Sequence, residues 1–123
     1  MEARLMYAGE FLQAEKGLQS GTYHIGRGSR DSLKIVGPSF GNEGMLFGGP
    51  DQTVSRLRID DGGRVVKSQL SMEVNGQEVT LKDGPSTNSN KLDGVEFTER
   101  TVDRPGNYEL KMGLSRCELV LSR

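Results

Sequence analysis

The sequence predicts an all-β protein, an antiparallel β-sandwich of about 10–11 short strands. Three observations carry that expectation. Apolar residues recur at every second position through most of the chain, as in strands with one buried face. Turn formers, drawn from 17 Gly and clusters such as Gly-Pro, Asp-Gly and Asn-Gly, interrupt the alternation at spacings of roughly 8 to 12 residues. No stretch sustains a helical period: Glu10 to Lys16 has good helix formers but spans less than two turns before Gly17.

Ala3 to Tyr7 alternates loosely, and Thr22 to Ile25 sends Tyr23 and Ile25 to one side and His24 to the other. Leu33-Lys-Ile35 and Met45-Leu-Phe47 are short strands, each stopped by a Gly-Pro turn. Val54 to Ile59 is expected to turn Leu57 and Ile59 inward, and Asp60-Asp-Gly-Gly63 folds it back on Arg64 to Lys67 as a hairpin. A second hairpin is centred on Asn75-Gly76. A type I′ turn there sets Met72 against Val79 and Glu73 against Glu78, with Met72, Val74, Val79 and Leu81 on one buried face. Asp83 to Asn90 is nearly all turn formers and reads as the longest loop. Val95 to Phe97, Tyr108 to Met112 and Cys117 to Leu121 complete the strands, the second introduced by the turn Arg104-Pro-Gly-Asn107.

With 123 residues and 13.5 kDa the chain is expected to be one domain, 1–123, with a core that needs no disulfide or metal. A net charge of −1 and a pI near 5.9 give no overall field to attract nucleic acid. The N-terminus has no apolar signal region, and no apolar run reaches the ~20 residues of a spanning helix. A soluble, cytoplasmic protein is expected. Cys117 is the single cysteine and shares a face with Leu119 and Leu121, so it reads as a buried, inert thiol.

Nothing assembles a catalytic set. His24 is the only histidine and has no cysteine or serine partner in the pattern, and Asp60-Asp61 beside Gly-Gly is turn chemistry. One Cys and one His cannot make a zinc cluster. Asn88 to Gly94 departs from a calcium loop, with its Gly one place late and Leu92 in a ligand position. No Gly-x4-Gly-Lys-Ser/Thr phosphate loop occurs. A non-catalytic protein without cofactor or metal is expected.

In order, the chain shows Ile25-Gly-Arg27, Leu33-Lys-Ile35, Pro38-Ser39, Ser68-Gln-Leu-Ser-Met-Glu-Val-Asn-Gly76, Leu81 and Asp93-Gly-Val-Glu-Phe97. This order resembles the forkhead-associated (FHA) domain over about residues 5 to 120. The family carries Gly-Arg at a strand end, Ser-Arg-x-His, then Ser-x-Asn-Gly-x-x-x-Asn-Gly. The resemblance implies an 11-stranded sandwich that recognises phosphothreonine peptides at the loops of one end. It places Arg27 on the phosphate-contacting arginine and Ser39 on the phosphate-binding serine. Phe40-Gly-Asn42 then stands where Arg-x-His is expected, and Leu70-Ser71 replaces the first Asn-Gly, whose asparagine holds the peptide backbone. Gly26-Arg27, Pro38-Ser39 and Ser68 to Ser71 are therefore expected to converge. Arg27, Arg30, Ser39, Asn42 and Ser68 form the candidate binding set.

The function expected from this pattern is an interaction or scaffold module for a protein or peptide, acidic or phosphorylated, without dependable phosphothreonine recognition. Two other β-sandwich readings stand beside it. A structural subunit of a capsid, appendage or secretion assembly would use the strand edges. A carbohydrate-binding module would need aromatic platforms, and three Tyr, four Phe and no Trp supply few.

Overall fold

A computed structural model of the chain describes residues 2–7, 10–11, 17–28, 32–41, 43–48, 52–84 and 88–123. Among them are fourteen strands and no helix, so no helix there is long and apolar enough to cross a membrane. In chain order the strands are β1 (Glu2–Tyr7), β2 (Glu10–Phe11), β3 (Gly21–Arg27), β4 (Leu33–Val36), β5 (Met45–Gly48), β6 (Arg58–Ile59) and β7 (Val65–Lys67). The remainder are β8 (Leu70–Val74), β9 (Val79–Asp83), β10 (Asn90–Leu92), β11 (Val95–Phe97), β12 (Glu99–Val102), β13 (Gly106–Met112) and β14 (Ser115–Ser122).

Two six-stranded antiparallel sheets form the sandwich. One runs β11-β10-β13-β14-β1-β2, the other β12-β9-β8-β3-β4-β5, and β6 and β7 pair apart from both. Period-two alternation explains the layers. Leu5, Leu110, Met112 and Leu119 from the first sheet meet Tyr23, Ile25, Leu70, Met72 and Leu81 from the second in one core cluster, all fully buried. Cys117 is buried beside Leu119 and Leu121, as its alternation implies.

The β8–β9 hairpin keeps the expected buried face but not the expected register. Val74 pairs with Val79, Glu73 with Thr80 and Met72 with Leu81. The tight turn is Gly76-Gln77, one residue later than Asn75-Gly76. The Asn75 amide donates to the Glu78 carbonyl at 3.0 Å, and the Asn75 side-chain oxygen accepts the Gln77 and Glu78 amides, both at 2.9 Å. Neither Asn75 nor Gly76 takes a positive φ, so the turn is not type I′. A two-residue change in partner leaves side-chain parity intact, which is why the core set survives. It also separates Glu73 from Glu78, and Glu73 instead pairs with Lys82 at 3.4 Å.

The first predicted hairpin also needs correcting. Its turn is present: the Asp60 side chain accepts the Gly62 and Arg64 amides, and Gly63 takes a φ of 82°. However, β6 and β7 lie outside both large sheets, and Ile59 is 51% exposed rather than inward. The loop expected over Asp83 to Asn90 is shorter, since β9 runs to Asp83 and β10 starts at Asn90.

Candidate functional site

β3 lies between β4 and β8, and its last residue, Arg27, marks one end of the second sheet. β8 pairs with β3 only as far as Ile25–Leu70. Beyond that point residues 55–57 take over. The Arg27 amide donates to the Ser55 carbonyl at 2.8 Å, and the Leu57 amide donates to the Arg27 carbonyl at 2.9 Å. Gly26 permits this approach, because a Cβ there would lie 2.9 Å from the Ser55 carbonyl oxygen. The Arg27 guanidinium donates to Gln52 Oε1 at 2.8 Å, and exposed Arg56 is bridged to Arg27 along the backbone.

A buried amide network locks the surrounding loops. Gln69, with no exposed surface, accepts the Ser55 amide on Oε1 at 3.0 Å. Its Nε2 donates to the Asn88 carbonyl at 3.0 Å and to Asn90 Oδ1 at 2.9 Å. Buried Asn90 returns a bond to the Gln69 carbonyl at 3.0 Å and another to Asp83 at 2.6 Å. Asn88 Nδ2 donates to the Thr53 carbonyl, and the Leu114 amide donates to Thr53 Oγ1 at 2.9 Å. Four chain segments, around 53–55, 69, 88–90 and 113–114, are thereby fixed to one another. Buried amides of this kind are rigid because every broken bond leaves a desolvated polar group.

The predicted binding residues do not all meet here. Ser68 stands just before β8, at the Arg27 end, but is only 3% exposed, its hydroxyl 3.4 Å from that of Ser71. Ser71 in turn meets His24 Nδ1 at 3.1 Å, and burial lowers the pKa of that imidazole. Ser39 lies at the opposite end of β3. Its hydroxyl is 2.7 Å from the Tyr23 phenol and accepts the Gln19 amide at 2.9 Å, while the phenol donates to the Gln19 carbonyl at 2.6 Å. At about 3.3 Å per residue, Tyr23 and Arg27 are ~13 Å apart along the strand. Convergence of Ser39 with Arg27 is therefore corrected: β4 runs antiparallel to β3 and carries residues 37–39 away from Arg27. Leu70 is a fully buried core residue, not a position facing a ligand. Arg30 and Asn42 lie outside the described residues.

No protein-family sequence model matches the chain, and a search of curated proteins finds no similar sequence. The architecture does match solved structures. The FhaA FHA domain, complexed with the intracellular domain of Rv3910, aligns with a TM-score of 0.61 at 22% identity, over 95% of this chain and 98% of that one. An FHA domain from a study of phosphothreonine-dependent interactions aligns at 0.65 and 20% identity, covering 100% and 99%. The fold is that of an FHA domain. A third such domain, from the CT664 protein of Chlamydia trachomatis, aligns at 0.63 and 18% identity over 100% of both chains.

At the Arg27 end, the segment opening β8 beside β3 is Ser68-Gln-Leu-Ser71. Asn88 is tied to this end by its bonds with Gln69 and Thr53. Ser86-Thr-Asn-Ser-Asn-Lys-Leu-Asp-Gly94 shares Ser86, Asn88 and Gly94 with Ser-x-Asn-Gly-x-x-x-Asn-Gly, as many positions as Ser68 to Gly76 shares. Asn88, Gln52 and Arg56 were missed by sequence reasoning. The eight-residue spacing from Ser86 to Gly94 was a legible signal for Asn88. For Gln52 and Arg56 there was none, because only the path of 52–57 beside Arg27 brings them in.

Proposed function

We propose that this chain is a non-catalytic, cytoplasmic protein-interaction module, acting as a single domain, whose Arg27 end holds an acidic or phosphorylated segment of a partner protein. The observation that carries the reading is the Arg27 guanidinium, fixed by Gln52 at the rim of loops that the Gln69–Asn90 network makes rigid. A preorganised cation with Arg56 beside it attracts anions without paying to order a loop. The likeness in fold to FHA domains, one of them described as phosphothreonine-dependent, supports a peptide partner.

Dependable phosphothreonine recognition is not part of the proposal. It needs several donors around a dianion. Here the Ser68 hydroxyl is buried against Ser71, and Gln69 is committed to bracing the loops. A carboxylate and a phosphate are then bound with similar strength. The test is to identify captured proteins from source lysate with and without phosphatase, using the parent and Arg27→Ala. Capture that needs Arg27 and persists after phosphatase fits the proposal. Equal capture by the variant removes Arg27 from it, and capture abolished by phosphatase restores strict phosphate dependence.

A further inference from the structure

The outer face of the first sheet carries a charge arrangement that antiparallel pairing does not favour. Lys91 on β10 is directly opposite Lys111 on β13, and Lys111 is directly opposite Arg116 on β14. Like charges facing each other across strands are destabilising. Among the described residues none of the three forms a salt bridge. Carboxylates share the face: Glu96 is opposite Lys91, and one row farther from the loops Glu109 is opposite Glu118, with Asp93 alongside. A slip of two residues between β13 and β14 would set Lys against Glu. The observed register instead collects the cations at the end of the face nearest the 88–89 loop and the 113–114 turn.

Two of the three cations, Lys91 and Lys111, line a groove of about 210 Å3 with Thr53, Asn88, Ser89 and Leu114, while Arg116 lies beside it toward Asp93, Glu109 and Glu118. Thr53 in its lining is the chain neighbour of Gln52, which accepts from the Arg27 guanidinium. Leu114, 72% exposed, forms its apolar rim. We infer that the Lys91–Lys111–Arg116 row is a docking surface for a carboxylate-rich stretch of a partner polypeptide, which passes through this groove from the Arg27 end. The inference rests on the proposed interaction function and adds the sequence character of the partner: several Asp or Glu on one side of the segment held at Arg27. Charge complementarity selects this occupant, because cations set directly opposite one another on neighbouring strands, about 4.8 Å apart, gain more from a shared run of carboxylates than from one another.

The test uses the full chain, 15N-labelled, titrated with an octaglutamate peptide and, as control, octaglutamine. Octaglutamate is expected to perturb amides around Lys91, Lys111 and Arg116, with affinity falling as salt rises. The triple variant Lys91→Gln, Lys111→Gln, Arg116→Gln should bind about tenfold or more weakly, with a thermal midpoint no lower than the parent's. Arg27→Ala should keep its octaglutamate binding at the row, so failure of the Arg27 reading and failure of this one separate. Unchanged binding by the triple variant, perturbations confined to other faces, or equal perturbation by octaglutamine would overturn the inference. So would concentration-dependent shifts at these residues without peptide, which would assign the face to a second copy of the chain.

Discussion

The phenol oxygen of Tyr23 and the hydroxyl of Ser39 are 2.7 Å apart, at the end of β3 away from Arg27. With the Gln19 amide and carbonyl they close a small hydrogen-bonded knot, and Phe40 packs edge-on against the Tyr23 ring at 5.9 Å. Burial raises the Tyr23 pKa while the Ser39 hydroxyl opposes the rise, so the phenol stays protonated and donates. The Ser39 hydroxyl thus braces the end of β3 opposite Arg27.

Arg27 and Ser39 therefore have opposite mutational signatures. Ser39→Ala should lower stability by about 1 kcal/mol, the usual worth of a lost hydrogen bond, and leave partner binding unchanged. Arg27→Ala should weaken binding of an acidic or phosphorylated partner and flatten its salt dependence, with little loss of stability. Denaturant titration and binding isotherms on both variants check this. A Ser39→Ala protein with parental stability and weakened binding would return Ser39 to the ligand site.

His24 should make stability depend on mildly acidic pH. Burial disfavours its charged form, so its folded pKa lies below the ordinary 6.5. The unfolded chain then takes up a proton more readily than the folded one. Stability is full above the unfolded value and is lost as pH falls from there through the lower folded value. Thermal midpoints between pH 8 and pH 5 should fall for the parent and change less for His24→Gln, which cannot titrate. Parallel curves for the two would show that His24 is accommodated as an imidazolium.

Cys117 should be inert until the protein unfolds. Burial pushes its thiol up to about 12, and only the thiolate attacks. A thiol-specific chromogenic reagent should label the native chain slowly, at a rate that tracks global opening, and label it at once in denaturant. Fast native labelling would mean that β14 opens locally.

How much of this was legible in sequence depends on what each feature needs. The buried faces of β3, β8, β9 and β14 follow from parity, which a register error of two residues does not disturb. Register itself was misread because Asn75 uses its side chain to cap the turn and does not occupy it. The inward assignment of Ile59 failed because alternation says which residues share a face, not whether a second layer covers it. Of the candidate residues, Arg27 was legible as the last residue of a strand. Ser39 was misplaced because its match rested on order along the chain, and the β4 strand preceding it runs back toward the far end of β3.

The rigidity of the site rests on Gln69, and that makes the last prediction. Its side chain satisfies the Ser55 amide, the Asn88 carbonyl and Asn90 Oδ1 at once. Gln69→Leu keeps most of the volume but leaves these groups without their partner, at about 1 to 3 kcal/mol for each that stays buried and unpaired. Gln69→Glu is the sharper variant. Its carboxylate can still accept the Ser55 amide, but it offers no donor to Asn88 or Asn90 and would be charged in a buried position. Both should be less stable, and both should show faster amide exchange at residues 53–55 and 88–90, while the far end of β3 near Tyr23 stays protected. Binding at Arg27 should weaken in both, since the guanidinium is then held by a loop that must be ordered on contact. Parental exchange rates at 88–90 in Gln69→Leu would show that the loops are rigid without the network.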